Sequence, residues 1–186
     1  MSIAKTYITA DELLRDSFKL ASQVIERGFL PTHIVGVWRG GAPVGIAVQE
    51  YLEYKGIKTD HIALRTSSYT GIDQQSREVK VYGEGYLVDT LDATDRVLIV
   101  DDVFDSGRSI EAILRVLKSK LRRNYPVDTR IATVYYKPKR NTTELTPDFF
   151  LHECDDWLVF PHELCGLSPE EVAAKGVAAP PVTDEA

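Results

Sequence analysis

Apolar positions recur along this chain with either a helical or a strand period, and the changes of period predict its elements. Residues 9–28 carry a Thr-x-x-Glu capping pattern followed by apolar positions at helical spacing, which is typical of an amphipathic helix. Short apolar runs predict strands at 34–38, 61–64, 97–100, 130–136, 149–151 and 157–160. Helical patterns follow at 43–55, after residue 107 to about 121, and from Ser168 onward.

Strands that alternate with helices at these spacings predict the fold class. Parallel neighbours cannot be joined by a tight turn, so each pair needs a crossover connection, which the intervening helices supply. We therefore expect an α/β fold with a doubly wound, mostly parallel sheet and flanking helices.

The segment 65–96 departs from this alternation. It is mostly polar, contains Gly71, Gly83 and Gly85, and includes an alternating piece at 79–82 that suggests a hairpin. An excursion of this length is typical of a functional lid or of disorder. We expect a mobile hairpin lid at about 66–96 within a single domain at 1–176, followed by a flexible tail at 177–186.

Composition narrows the class of protein. A chain of 186 residues with 44% hydrophobic and 27% charged residues is long enough to bury one core. No apolar run is long enough to cross a bilayer and no signal pattern opens the chain, so we expect a cytoplasmic protein without membrane contact. The net charge of −6 disfavours nucleic acid as a partner. Cys154 and Cys165 are too few for a disulfide framework and are expected to be reduced.

The most informative stretch is 97–113. Four apolar residues are followed by Asp101 and Asp102, then by the polar loop 105–109, and then by a helical pattern. Ligands of open α/β sheets bind beyond the carboxyl ends of the strands, where these carboxylates stand. The loop offers backbone N–H groups, two hydroxyls and a guanidinium to an anion at a helix start. This pattern predicts a site for a phosphorylated sugar.

This stretch resembles the diphosphate-sugar signature of type I phosphoribosyltransferases, in which Asp-Thr/Ser-Gly-x-Thr/Ser follows a strand and two acidic residues. The resemblance implies that family's fold and 5-phospho-α-D-ribose 1-diphosphate as a substrate. It implies that Asp101 and Asp102 hold the ribose hydroxyls or Mg²⁺, with Asp102 the first choice, and that Asp105 is the general base for purine N7. The remaining loop residues are expected to anchor the 5'-phosphate: Ser106, Gly107, Arg108 and Ser109.

A second loop follows the strand at 34–38. Gly40 and Gly41 permit backbone N–H groups to approach an anion closely. It is not a Walker loop, because Ala42 and Pro43 stand where Lys and Ser/Thr are needed. The loop is similar to the family's pyrophosphate loop, which implies that Arg39 and Gly40 hold the leaving group and that the peptide before Arg39 is cis.

Three further sites resemble those of the purine branch of the family. Ser68 and Tyr69 resemble the pair that begins a closing lid, which would keep water from the activated sugar. Lys137 resembles the lysine that binds the 6-oxo group of the base. An ammonium only donates hydrogen bonds, so it favours a carbonyl over the amino group of adenine.

The last site lies in a base-covering region expected at about 137–165. Trp157 resembles the aromatic residue that stacks on the purine, and Leu158 the apolar residue whose backbone contacts the other ring edge. Some xanthine-accepting relatives carry an acidic residue next; here Val159 stands there, which leaves xanthine use and a second metal site open.

The resemblance implies purine salvage with hypoxanthine or guanine, Mg²⁺ as cofactor and assembly as a homo-dimer or homo-tetramer. Two alternatives remain at this point. One is a phosphoribosyltransferase for another base. The other is a nucleic-acid-binding regulator of this fold, against which the acidic balance and the presence of Asp105 and Lys137 count.

Overall fold

A computed structural model describes residues 5–69 and 78–177 of the chain; of Ser68, Tyr69 and Glu78 it describes the backbone alone. The described elements, in chain order, are β1 (Lys5–Tyr7), α1 (Ala10–Glu26), β2 (His33–Trp38), α2 (Gly41–Tyr54), β3 (Asp60–Tyr69), β4 (Glu78–Tyr82), α3 (Gly85–Thr90), β5 (Arg96–Phe104), α4 (Arg108–Leu121), a 3-10 turn (Arg122–Asn124), β6 (Asp128–Tyr136), β7 (Phe149–Glu153), β8 (Trp157–Val159) and α5 (Pro169–Ala174). None of the described helices has the length and apolar character needed to traverse a lipid bilayer.

The central sheet has six strands in the order β4-β3-β2-β5-β6-β7. Every neighbouring pair is parallel except β3 and β4, which form the predicted hairpin. The prediction of an α/β fold with a mostly parallel sheet is confirmed. Because β2 and β5 are parallel neighbours, the loops that follow them leave the same edge of the sheet.

One part of the core lies between the sheet and the helices α3 and α4, and α1 and α2 contribute further buried residues such as Leu20, Val24, Val48 and Leu52. Ile110, Ile113 and Leu117 recur on one face of α4 and are almost fully buried. Leu87 and Leu91 join the same cluster from α3 and the residue after it. The sequence did not predict α3, because this helix is short and lies within a polar segment that contains several glycines.

The region expected to form a lid is partly regular. β3 continues to Tyr69, five residues beyond the predicted strand end, and pairs with β4 from Arg65 opposite Tyr82. Residues 70–77, at the centre of the expected lid, lie outside the described residues. The lid stays a prediction, although its last part contributes Leu87 and Leu91 to the core.

The chain divides into two compact units, Asp11–Asp155 and a smaller one built from the two chain ends. In the smaller unit β1 pairs in parallel with β8, and α5 begins with the predicted Ser168 cap, which forms a capping box with Glu171. Lys5 and Tyr7 donate hydrogen bonds to Glu171 and lower its pKa to about 2. A single domain at 1–176 stays a prediction, and residues 178–186 of the expected tail lie outside the described residues.

Candidate active site

Two loops meet where β2 and β5 end. A Cβ atom placed on Gly40 would lie 2.1 Å from Oδ2 of Asp102, and one on Gly41 would lie 2.4 Å from the carbonyl oxygen of Val100. Real Cβ contacts are essentially never so short. Only glycine at these two positions allows the backbone of the first loop to lie this close to the end of β5. The glycines singled out in the sequence therefore serve close approach.

The loop after β2 turns sharply into α2. The peptide bond between Trp38 and Arg39 is cis, as the family resemblance implied. The amide of Ala42 donates to the carbonyl of Arg39 at 3.1 Å, which closes the turn, and the Arg39 side chain is exposed. α2 begins at Gly41, two residues earlier than the sequence predicted.

The adjacent carboxylates at the end of β5 are in different surroundings. Asp101 Oδ1 accepts the amide of Asp102 at 3.0 Å, and the amide of Gly41 also donates to this carboxyl group. Burial, and secondly the negative charge of Asp102, raise the pKa of Asp101 well above its usual value. Asp102 is buried beneath Gly40, and its Oδ1 accepts the amide of Val103 at 2.8 Å.

The loop between β5 and α4 is the expected anion cradle. Gly107 has a positive φ of 78° and precedes the first residue of α4, Arg108. The α4 N-terminus therefore opens toward this loop, and unpaired backbone N–H groups at such an end attract anions. The hydroxyl of Ser109 accepts a hydrogen bond from Thr66 of β3 at 3.3 Å.

Asp105 lies between two cations. Nζ of Lys137 is 3.4 Å from its Oδ2, and Nε of Arg140 is 2.7 Å from its Oδ1. Only 8% of the Lys137 side chain is exposed, so its ammonium is placed in a largely buried position beside this carboxylate. The backbone amide of Lys137 donates to the carbonyl of Phe104 at 2.9 Å, which fixes the end of β6 against the end of β5.

The structure thus brings three predicted parts together within the larger unit: the Arg39 loop, the Asp101 to Ser109 segment and Lys137. The other predicted residues are elsewhere. Ser68 and Tyr69 form the last pairs of β3, with side chains outside the described residues. Trp157 and Leu158 belong to β8 of the smaller unit, where Trp157 is 49% exposed and Leu158 is buried.

The sequence profile of the family described as Phosphoribosyl transferase domain matches residues 6–168. The chain belongs to this family. It is similar to the hypoxanthine-guanine phosphoribosyltransferase of Lactococcus lactis, with 26% identity over 150 residues that cover 80% of this chain and 75% of that protein. It is also similar to the xanthine-guanine phosphoribosyltransferase of Cereibacter sphaeroides, with 28% identity over 171 residues that cover 85% and 86%. The crystal structure of a purine phosphoribosyltransferase from Pyrococcus horikoshii has a TM-score of 0.70 at 27% identity, covering 88% of this chain and 97% of that one.

The acidic residues of this phosphoribosyltransferase suit a metal ion that is held in part by its substrate. Among residues 5–69 and 78–177, no group of three or more His, Cys, Asp or Glu side chains could enclose a cation. Mg²⁺ is usually bound by one or two carboxylates together with water and substrate phosphates. The pair Asp101 and Asp102 fits that pattern; Asp101 accepts two amides, and Asp102 accepts the amide of Val103.

Sequence reasoning missed the part of this phosphoribosyltransferase that lies between β6 and β7. Arg140 contacts Asp105, and Thr142 and Thr143 contact the phosphate-sugar loop, residues 105–109. Their only signal in the sequence is a polar loop after Lys137, which does not reveal the groups they contact. Glu163, the first acidic residue after Val159 in the sequence, accepts the amide of Phe160 at 3.0 Å and is thereby used within its own turn.

Proposed function

We propose that this phosphoribosyltransferase works in purine salvage. It transfers the 5-phosphoribosyl group from 5-phospho-α-D-ribose 1-diphosphate to a 6-oxopurine and releases pyrophosphate and a nucleoside 5'-monophosphate. The observation that carries this proposal is the buried Lys137 ammonium beside Asp105, at the same sheet edge as the two glycine-containing loops. The names of the hypoxanthine-guanine and xanthine-guanine relatives support the choice of base.

The Arg39 loop and the end of β5 stabilise different parts of the reacting molecule. Breaking the bond between sugar and diphosphate leaves positive charge on the ribose and negative charge on the leaving group. The exposed Arg39 guanidinium and the amides of the Gly40 turn bind the departing diphosphate, and Asp102 holds the ribose hydroxyls. Mg²⁺, when bound at Asp102 with Asp101 beside it, supplies further neutralisation of the diphosphate.

Asp105 and Lys137 act on the base. Asp105 accepts the proton from purine N7 as the new bond forms at N9. Lys137 donates to the 6-oxo group, and because an ammonium has no acceptor it discriminates against the 6-amino group of adenine. The residues 106–109 hold the 5'-phosphate, so the sugar and the base are oriented from opposite ends.

Two more parts complete the proposed site. Trp157 stacks on the purine and Leu158 contacts its other edge through the backbone; Trp157 is about half exposed, which supports this role. Ser68 and Tyr69 belong to a lid at 66–96 that shields the activated sugar from water. A covering region at 137–165 completes the enclosure of the base.

The test is a comparison of bases. The purified protein is mixed with Mg²⁺, the activated sugar and, in separate reactions, hypoxanthine, guanine, xanthine, adenine or uracil, and pyrophosphate release is measured. We expect turnover with hypoxanthine and guanine. The rate with xanthine shows whether this base is used although Val159 stands where some xanthine-accepting relatives carry an acidic residue. Turnover with adenine or uracil alone would assign another base. Absence of turnover together with salt-sensitive oligonucleotide binding would favour a regulator instead.

We also propose that the protein acts in the cytoplasm as a homo-dimer or homo-tetramer, without nucleic-acid or membrane partners. The net charge of −6 supports the first exclusion, because phosphate backbones favour cationic surfaces. Light scattering coupled to size-exclusion chromatography measures the assembly, and a monomer at micromolar concentration would refute it.

A further inference from the structure

The loop between β6 and β7, residues 137–148, contacts the phosphate-sugar loop through Lys137, Arg140, Thr142 and Thr143. The backbone N–H and the Oγ1 hydroxyl of Thr142 both donate to the carbonyl oxygen of Ser106, each at 3.1 Å. Nε of Arg108 in turn donates to Oγ1 of Thr142 at 3.2 Å. These three hydrogen bonds attach Thr142 to both sides of Gly107, although the two loops are more than thirty residues apart in sequence.

The two bonds to Ser106 determine the direction of a peptide group. A trans peptide is planar, and its C=O and N–H point in opposite directions. Because the Ser106 carbonyl points toward Thr142, the N–H of Gly107 points away from the β6–β7 loop. An anion cradle requires this arrangement, since a carbonyl oxygen turned toward the anion would repel it.

The β6–β7 loop is braced so that it can impose this direction. The Asn141 side chain donates to the carbonyl of Leu145 at 2.7 Å and accepts both the amide and the hydroxyl of Thr143 at 2.9 Å. Thr143 approaches so closely that a Cβ on Gly107 would lie 2.4 Å from its Oγ1. The cradle therefore lies directly against a loop that is held by its own hydrogen bonds.

We propose that Thr142 is a positioning residue for phosphate binding. It holds the Ser106–Gly107 peptide with its N–H toward the anion and restrains Arg108 beside it, without itself contacting the substrate. The identity of the anion as the 5'-phosphate of the activated sugar rests on the proposed function. The direction of the Ser106–Gly107 peptide group does not rest on that function, because it follows from the hydrogen bonds of Thr142.

The experiment compares Thr142→Val, Thr142→Ser and Thr129→Val with the wild type. Valine keeps the shape of threonine and removes the hydroxyl, whereas serine keeps the hydroxyl. Thr129, at the other end of β6, is the matched control, because its hydroxyl donates to the carbonyl of Pro126 at 3.2 Å, far along the strand from the cradle. Ribose 5-phosphate binding is measured by calorimetry, and the steady-state constants are measured for the activated sugar and for hypoxanthine.

We expect Thr142→Val to weaken ribose 5-phosphate binding roughly threefold to tenfold, the effect of one or two hydrogen bonds. The KM for the activated sugar should rise by the same factor, while kcat and the KM for hypoxanthine stay within about twofold. Thr142→Ser should restore wild-type binding and Thr129→Val should retain it. If the hydroxyl served only the general stability of the fold, kcat and the KM for hypoxanthine would change together with the KM for the activated sugar.

Several results would overturn the proposal. Equal binding by the wild type and Thr142→Val would do so, as would failure of Thr142→Ser to restore affinity, an equal loss in Thr129→Val, or no binding of ribose 5-phosphate by the wild type. A wild type that binds ribose 5-phosphate but converts no base would instead refute the proposed function. In that case the calorimetric comparison alone still decides the role of Thr142.

Discussion

Gly40 lies directly against the carboxylate of Asp102, and a Cβ atom there would come within 2.1 Å of Oδ2. The contact joins the loop expected to bind diphosphate to the residue expected to bind the ribose hydroxyls and the metal ion. Any side chain at position 40 must therefore displace either the loop or the carboxylate.

The first prediction concerns Gly40→Ala. Displacement of the two loops by about an ångström should lower kcat/KM by about 100-fold, because transfer depends on the relative position of sugar and leaving group. Steady-state kinetics with the activated sugar measures the loss. Gly85→Ala is the control, since a Cβ there meets nothing within 4 Å and the residue begins α3. Full activity in Gly40→Ala would show that the loops do not act together.

The second prediction concerns Lys137→Met. The substitution keeps the length of a largely buried side chain and removes the donor, so kcat/KM for hypoxanthine and guanine should fall roughly 10- to 100-fold. Ribose 5-phosphate binding should change by less than about twofold, because the described ion pair of Lys137 is with Asp105 and not with the residues 106–109 proposed to hold the phosphate. Lys139→Met is the matched control: Lys139 is 84% exposed and pairs with Asp155 at 3.1 Å. Unchanged preference among bases in Lys137→Met would refute the assigned role.

The third prediction concerns the metal ion. Removal of divalent cations with a chelator should abolish pyrophosphate release, and added Mg²⁺ should restore it. Asp102→Asn should raise the Mg²⁺ concentration for half-maximal rate by at least about tenfold. Asp155→Asn, which changes a partly exposed carboxylate paired with Lys139, should not shift this Mg²⁺ concentration. Persistence of the full rate in chelator would exclude this role of Asp102.

The fourth prediction concerns stability and pH. Burial by itself raises the pKa of Asp16, but hydrogen bonds from Lys19 at 2.7 Å and with His152 at 2.6 Å outweigh it and lower the pKa. A carboxyl group whose pKa is lowered by folding stabilises the native state above its unfolded pKa, and this contribution disappears as the pH falls through the folded value. It should therefore be complete at pH 7 and decline below about pH 4.

Urea unfolding of the wild type and Asp16→Asn at pH 7 and pH 3 tests this expectation. The variant should be less stable by about 1–2 kcal/mol at pH 7, and the difference should shrink at pH 3. A difference that is independent of pH would mean that packing, rather than the charge of Asp16, attaches α1 to β7.

The strand, acidic pair, loop and α4 could be predicted because they are contiguous in the chain, and local pattern specifies each step from Val97 to Ile113. The Arg39 loop was recognisable for the same reason. The contacts of Arg140 and Thr142 could not be predicted, because they depend on how a loop after β6 lies against a loop after β5. The core position of α3 was missed because only Leu87 and Leu91 carry it in a polar segment.

The pairing of Lys5 with Trp157 has a consequence for the order in which the chain matures on the ribosome. Strand β1 precedes the central sheet in the chain, yet its partner β8 is synthesised only after all six strands of that sheet. During synthesis β1 therefore has no strand partner until β8 has been made, and the strand that carries the tryptophan proposed to stack on the purine can pair only after the central sheet has been translated.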